Sequence, residues 1–174
     1  VDAGVLDSVL SGNEGYQLMT QSYDDIAFNP LDDHPERYPS HEGWDRFFGY
    51  GRLNAYKLLQ KVAAGDIPPE ADIASPQWFE AYNLADAGAL QVTGLVDAPR
   101  AGSYTWTLEA AATWDPRDAD YQTVAEGVGS ERHEGLLGTI DLSEIAENAA
   151  AEIADYDSTD TNVSKGDKVH VHVV

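Results

Sequence analysis

The chain contains no cysteine, a single methionine and only 10 lysines and arginines in 174 residues. Without thiols there is no disulfide framework, no thiolate zinc site and no cysteine nucleophile. The compartment stays open on that ground, because many secreted bacterial proteins dispense with disulfides. The scarcity of basic side chains, set against 31 Asp and Glu, gives a net charge of −21. Affinity for nucleic acid comes largely from cationic side chains that release counterions, so a nucleic-acid partner is excluded, and an anionic membrane surface with it. No apolar run approaches the roughly 18 to 20 residues of a membrane helix. Val1-Asp2-Ala3-Gly4 is neither the charged nor the apolar region of a signal peptide, and the chain reads as an excised piece.

What is present argues for a folded protein. Hydrophobic residues make up 43 %, and 4 Trp, 9 Tyr and 4 Phe supply the bulk for a core. The acidity belongs to the whole surface: residues 1–87 hold 15 acids and 5 bases, residues 88–174 hold 16 and 5.

Periodicity divides the chain. Val5, Leu6, Val9 and Leu10 follow a helical stripe that predicts a helix stopping at Ser11-Gly12-Asn13. A second helix is expected from Glu14 to about Tyr23 and a third from about Arg52 to Ala64, with Gly65 as its stop. Between them, residues 29–51 carry three prolines and three glycines but also Tyr38, Trp44, Phe47, Phe48 and Tyr50, the pattern of a packed loop. Gly65-Asp66-Ile67-Pro68-Pro69-Glu70 reads as a boundary, since paired prolines stiffen and extend the chain. Beyond it the period becomes two. Leu90, Val92, Gly94 and Val96 alternate with other residues, as do Tyr104, Trp106 and Leu108, and further strands are expected at 121–125, 135–142 and 168–174. The turn spacing is that of a β-sandwich.

Two segments carry a family resemblance. Gln17-Leu18-Met19-Thr20-Gln21-Ser22-Tyr23-Asp24-Asp25-Ile26 resembles the segment that follows the serine-bearing helix in subtilisin-like serine peptidases, and Ala3-Gly4-Val5 resembles part of that helix. Gly43-Trp44-Asp45-Arg46-Phe47-Phe48-Gly49-Tyr50-Gly51-Arg52-Leu53-Asn54-Ala55-Tyr56-Lys57 is similar to the closing "G-Y-G-R-V-N-A" motif. The resemblance covers about residues 3–64 and implies an α+β composite. Its parts are the C-terminal helices of a subtilisin-like α/β catalytic domain (1–64), a linker (65–87) and an immunoglobulin- or fibronectin-like β-sandwich accessory domain (88–174). It further implies a secreted serine endopeptidase acting on protein or peptide substrates. The family's serine, in "G-T-S-M-A", would precede Val1, so the implied catalytic residues are absent from this chain. The other expectation is a non-catalytic extracellular binding or interaction module.

Other clusters admit two readings each. Asp32, Asp33 and Glu36, with His34, His41, Glu42 and Asp45, offer hard oxygen ligands for calcium, yet they lack the regular spacing of a dedicated calcium loop and read equally as a solvated acidic loop. His170 and His172 are two apart on an expected strand, hence on one face, which suits a transition metal; with no third ligand in sight they also read as a solvent-facing edge. His34 and His41 have no fixed geometry relative to a serine. Asp24-Asp25 is expected at a helix C-terminal turn. Trp78, Phe79, Tyr82, Tyr104, Trp106, Trp114 and Tyr121 are either a binding platform or core. Gly127, Gly129, Gly135 and Gly138 lack a phosphate loop's ending and read as turns.

Overall fold

The structure, a computed structural model, describes residues 9–27, 40–78, 80, 82, 88–111 and 116–143, and the backbone of 170–173. In chain order its elements are α1 (Gly12–Thr20), β1 (Tyr23–Asp24), β2 (Arg52–Leu53), α2 (Ala55–Ala64), β3 (Glu70–Ser75), β4 (Ala89–Asp97) and β5 (Tyr104–Ala111). A 3-10 turn (Asp118–Asp120), β6 (Gln122–Gly129), β7 (His133–Asp141) and β8 (His170–Val173) follow. The described strands form three small sheets, ordered β1-β2, β3-β4-β7 and β6-β5-β8, in which every pair is antiparallel.

This corrects the expected α+β composite. The described residues are mostly β-sheet with two short helices, and they contain no α/β domain that ends in helices. An α/β layer needs parallel strands joined by helical crossovers. The described pairings are antiparallel, and the second and third expected helices are only 9 and 10 residues long, while most of the first, at residues 5–10, lies outside the described residues. Part of the segment read as a linker, Glu70–Ser75, is the strand β3.

The core lies between the two three-stranded sheets. Leu90, Val92 and Val96 of β4, Leu108 of β5, Leu137 and Ile140 of β7, and Leu142 are buried together, with Ala71, Ile73, Tyr104, Trp106, Ala110, Val124 and Ala125 packed around them. Each fully buried aliphatic side chain of this kind contributes about 1.5–3 kcal/mol. Tyr104 and Trp106 are therefore inward residues, and β6 makes room for them with glycine. A Cβ on Gly127 would stand 2.6 Å from the Trp106 ring, and one on Gly129 would stand 2.5 Å from that of Tyr104. These glycines, expected as turns, are strand positions covered by cross-strand aromatic rings. The Tyr104 hydroxyl donates to one of two backbone carbonyls within reach, Val96 O at 3.0 Å and Glu131 O at 2.8 Å.

The helix expected from Glu14 starts two residues earlier, at Gly12. Ser11 is its N-cap: the Ser11 Oγ accepts from the Glu14 N–H at 2.9 Å, and the Glu14 carboxylate accepts from the Ser11 N–H at 2.9 Å. This reciprocal box satisfies two backbone donors and outweighs the breaking tendency of Gly12. The helix lies on β3, where Gln17 Nε2 donates to the Ala71 carbonyl at 2.9 Å and Ser11 Oγ donates to the Glu70 carboxylate. The β3 edge, open on the side away from β4, is thereby partly covered. The helix α2 begins three residues later than expected, because Asn54 caps it at the Lys57 N–H, 3.1 Å, while Arg52–Leu53 pairs as strand. It ends at Gly65, φ 74°, as the glycine stop demands.

Candidate functional site

Two adjoining groups of polar side chains lie around the β1-β2 pair. The first lies where β1, β2 and the start of α2 meet. Tyr23 pairs with Leu53 and Asp24 with Arg52. The Asp24 carboxylate accepts from Asn54 Nδ2 at 3.0 and 3.2 Å and from Lys57 Nζ at 2.6 Å, with Arg52 at 3.8 Å. The hydrogen bond from Lys57, then that from Asn54, holds the Asp24 carboxyl below the usual carboxylate range. Lys57 also donates to the Tyr23 carbonyl at 3.1 Å. Gly51, φ 98°, lies so close that a Cβ there would stand 2.5 Å from the Asp24 carbonyl oxygen. Asp24 thus belongs to a strand, not to the expected helix C-terminal turn; the Asp25 carboxylate instead accepts from the Gly43 N–H at 2.9 Å.

The second group adjoins it. The Tyr23 and Tyr50 rings are 5.7 Å apart, tilted by 45°. Burial raises the Tyr23 phenol above its ordinary value, and the charges of Asp25 and Asp118 raise it further. Burial likewise raises Tyr50. Tyr121 is pushed up to about 12, mostly by burial and then by Tyr50, Asp118, Glu109 and Asp120. A Cβ on Gly43 would stand 3.2 Å from Asp118 Oδ1, so the 3-10 turn and the 43–51 loop meet here. The group offers phenols that stay protonated to high pH in a field of negative sign. Such a field favours cations over anions.

The residues singled out in the sequence distribute as follows. Asp32, Asp33 and Glu36, the calcium candidates, lie outside the described residues, as do His34, Phe79 and Trp114. Of their neighbours, Asp45 is turned inward at 1 % exposure, where Oδ1 accepts from the Phe47 and Phe48 N–H groups at 2.7 and 2.8 Å. His41 Nδ1 lies 3.0 Å from the Glu42 carbonyl. Among the residues whose side chains are described, no three metal-ligating groups gather. Ser11 is engaged in the helix cap, and Ser22 is fully buried with no hydrogen-bond partner for its Oγ among the described residues. Neither is placed to attack a substrate. Trp78 and Tyr82 are exposed, whereas Tyr104 and Trp106 pack on the core, so the seven aromatics do not form one platform.

Sequence reading missed the contact between α1 and the sheets. Glu14 is 2 % exposed and bound in a fork by Arg100, Nε to Oε1 at 2.6 Å and Nη2 to Oε2 at 3.0 Å. The hydrogen bond from Arg100 keeps the Glu14 carboxyl below its ordinary value in spite of burial. Glu70, also buried, has Arg132 at 3.9 Å. The only local signal was the Ser11-to-Glu14 spacing of a capping box; nothing local points 86 residues ahead to Arg100. No family model, curated protein or solved structure matches the chain.

Proposed function

We propose that the chain is part of a secreted subtilisin-like serine endopeptidase that hydrolyses peptide bonds, with its serine, histidine and aspartate outside these 174 residues. One observation carries the reading. The two segments that resemble the family, 17–26 and 43–57, are distant in sequence yet joined in space through the β1-β2 pair and the Asp24 to Asn54 and Lys57 contacts. The residues that make the joint, Asp24, Gly51, Arg52 and Asn54, are ones on which the resemblance rests. In addition, α2 buries none of its residues, and Leu53, Tyr56 and Leu59 are exposed by more than half. An amphipathic helix this bare gains little from its own chain, which suits a segment that leans on a larger body.

In such an enzyme the serine attacks the peptide carbonyl with histidine as general base and aspartate as its orienting partner. The described residues contribute positioning and not proton transfer. The test uses the longer gene product: casein hydrolysis and labelling by a fluorophosphonate, with and without substitution of the serine of a "G-T-S-M-A" motif preceding Val1. Cleavage abolished by Ser→Ala supports the proposal. Absence of that motif, or cleavage that survives the substitution, overturns it and leaves the non-catalytic binding module as the better reading.

A further inference from the structure

The contact between α1 and the sheets joins the two parts of the chain that Pro68-Pro69 separate in sequence. Arg100 sits in the connection from β4 to β5, in a turn closed by the Ala101 N–H on the Ala98 carbonyl at 2.9 Å. From there its guanidinium holds the buried Glu14 carboxylate in a fork. Beside it, Ser11 Oγ donates to the buried Glu70 carboxylate, and Glu70 pairs with Asp97, the last residue of β4. Gln17 Nε2 reaches the Ala71 carbonyl of β3. At its other end α1 leads into β1, where the Ser22 carbonyl accepts from the Asn54 N–H at 2.8 Å.

A helix of 9 residues is shorter than the about 12–15 at which even favourable sequences become marginally helical in water, so α1 depends on what it touches. The residues it buries are Glu14 and Leu18. A guanidinium and a carboxylate joined in a fork fix direction as well as distance. Loss of one partner leaves the other charge buried and unpaired, which is strongly destabilising, and Arg100 therefore acts on α1 as a lock. The hydrogen bond from Arg100 also keeps the Glu14 carboxyl below its ordinary value, so the charge that the lock needs is present at neutral pH.

We propose that Arg100 is a positioning residue for the peptidase reaction: through Glu14 it fixes α1 and, with α1, the chain that leads back to the attacking serine, so that turnover depends on the sheets. The inference rests on the function proposed above. Ala3-Gly4-Val5, a few residues ahead of the Ser11 cap, is the stretch that resembles part of the serine-bearing helix. Misplacing a reacting group by about 1 Å costs about 100-fold in rate, so slack in α1 lowers turnover without altering the contacts that bind substrate. The sheets are then a brace for the reacting part of the enzyme, and not a module that can be removed without loss.

Two measurements test it. In the full 174-residue chain, hydrogen exchange is followed in α1, β4 and β5 for the parent, Arg100→Gln, Arg100→Lys, Glu14→Gln and the Arg100→Gln, Glu14→Gln double variant. Lys61→Gln, which removes an equal charge from a pair with Asp66, is the control. Exchange in α1 should quicken by about 10-fold or more in Arg100→Gln and stay unchanged in Lys61→Gln, with β4 and β5 unaffected. Arg100→Lys should recover part of the protection, and the double variant should be no looser than the looser single one, because both act on one contact. In the longer gene product, a fluorophosphonate counts the active sites, so that kcat is expressed per intact site and a loss of folded protein does not lower it. Arg100→Gln should lower that kcat by about 10-fold with KM little changed, and Arg100→Lys should restore part of it. Unchanged exchange in α1, or a loosened α1 with full kcat per site, overturns the proposal. So does a longer product that neither cleaves casein nor takes the label; that result removes the peptidase reading itself, and the exchange data then show separately whether Arg100 holds α1.

Discussion

Replacing Glu14 by Gln isolates the charge in the contact between α1 and the sheets. Gln is isosteric, and at the third helical position it still accepts from the Ser11 N–H, so the capping box survives. What goes is the charge on a side chain 2 % exposed and held by two hydrogen bonds from Arg100. A hydrogen bond to a charged group contributes about 1.5–3 kcal/mol, and a neutral amide recovers part of that, so the expected loss at pH 7 is about 1–2 kcal/mol. In a chain of this length that lowers the melting temperature by about 2–8 °C. The pH dependence separates charge from shape. The folded-state pKa of Glu14 lies below its ordinary value of 4.5, so the stability it contributes is fully present above that value and disappears as pH falls through the lower, folded value. The gap between parent and variant should therefore be constant from pH 7 to about 5.5 and close as the solution is made more acid. Urea unfolding at a series of pH values measures it. A gap that persists unchanged to pH 3, or one below about 0.5 kcal/mol at pH 7, would refute the assignment of a buried charge pair.

Three further outcomes follow from the same structure. Gly127→Ala drives a Cβ to 2.6 Å from the Trp106 ring and should cost about 1–3 kcal/mol by overpacking, with an altered near-ultraviolet dichroism of the tryptophans; an unchanged melt and spectrum would contradict the close approach. In a pH titration read at 295 nm, the phenol of Tyr121 should ionise near pH 12, after the ordinary tyrosines. Because its folded pKa is raised, the protein should lose stability as pH climbs from about 10 towards 12, and Tyr121→Phe should blunt that loss. With a net charge of −21, thermal stability should rise from low to molar salt as mutual repulsion is screened; a melting temperature indifferent to salt would remove repulsion as a significant term.

Local signals were read well where the physics is local. The alternation of Leu90, Val92, Gly94 and Val96 is the strand β4, that of Tyr104, Trp106 and Leu108 is β5, and Gly65 ends α2 in the left-handed conformation. The errors arose where two local signals compete or where a partner is remote. Gly12 and Asn13 were expected to precede the helix that begins at Glu14, but the Ser11 and Glu14 box is worth more than the glycine costs and draws both into it. Arg52 and Leu53 fit a helical stripe, but Asn54 is the better cap, and backbone pairing with Tyr23 and Asp24 claims the two residues before it. Gly127 and Gly129 look like turns in one strand alone and become strand residues once Trp106 and Tyr104 lie across from them. The family resemblance implied the end of an α/β body, whereas the described strands form antiparallel sheets.

By itself the sequence determined that the protein is strongly acidic, thiol-free and built on period-two strands in its second half, because composition and periodicity are properties of short windows. Only the tertiary structure decided that Glu14 meets Arg100, that Asp24 gathers Asn54 and Lys57, and that Glu109 stands opposite His172. Those pairings depend on which strands become neighbours and in what register, and a shift of one residue would turn Glu109 into the core. Register is set by the burial of Leu90, Val92, Leu108, Leu137 and Ile140 acting together, a sum over the whole chain that no local window contains.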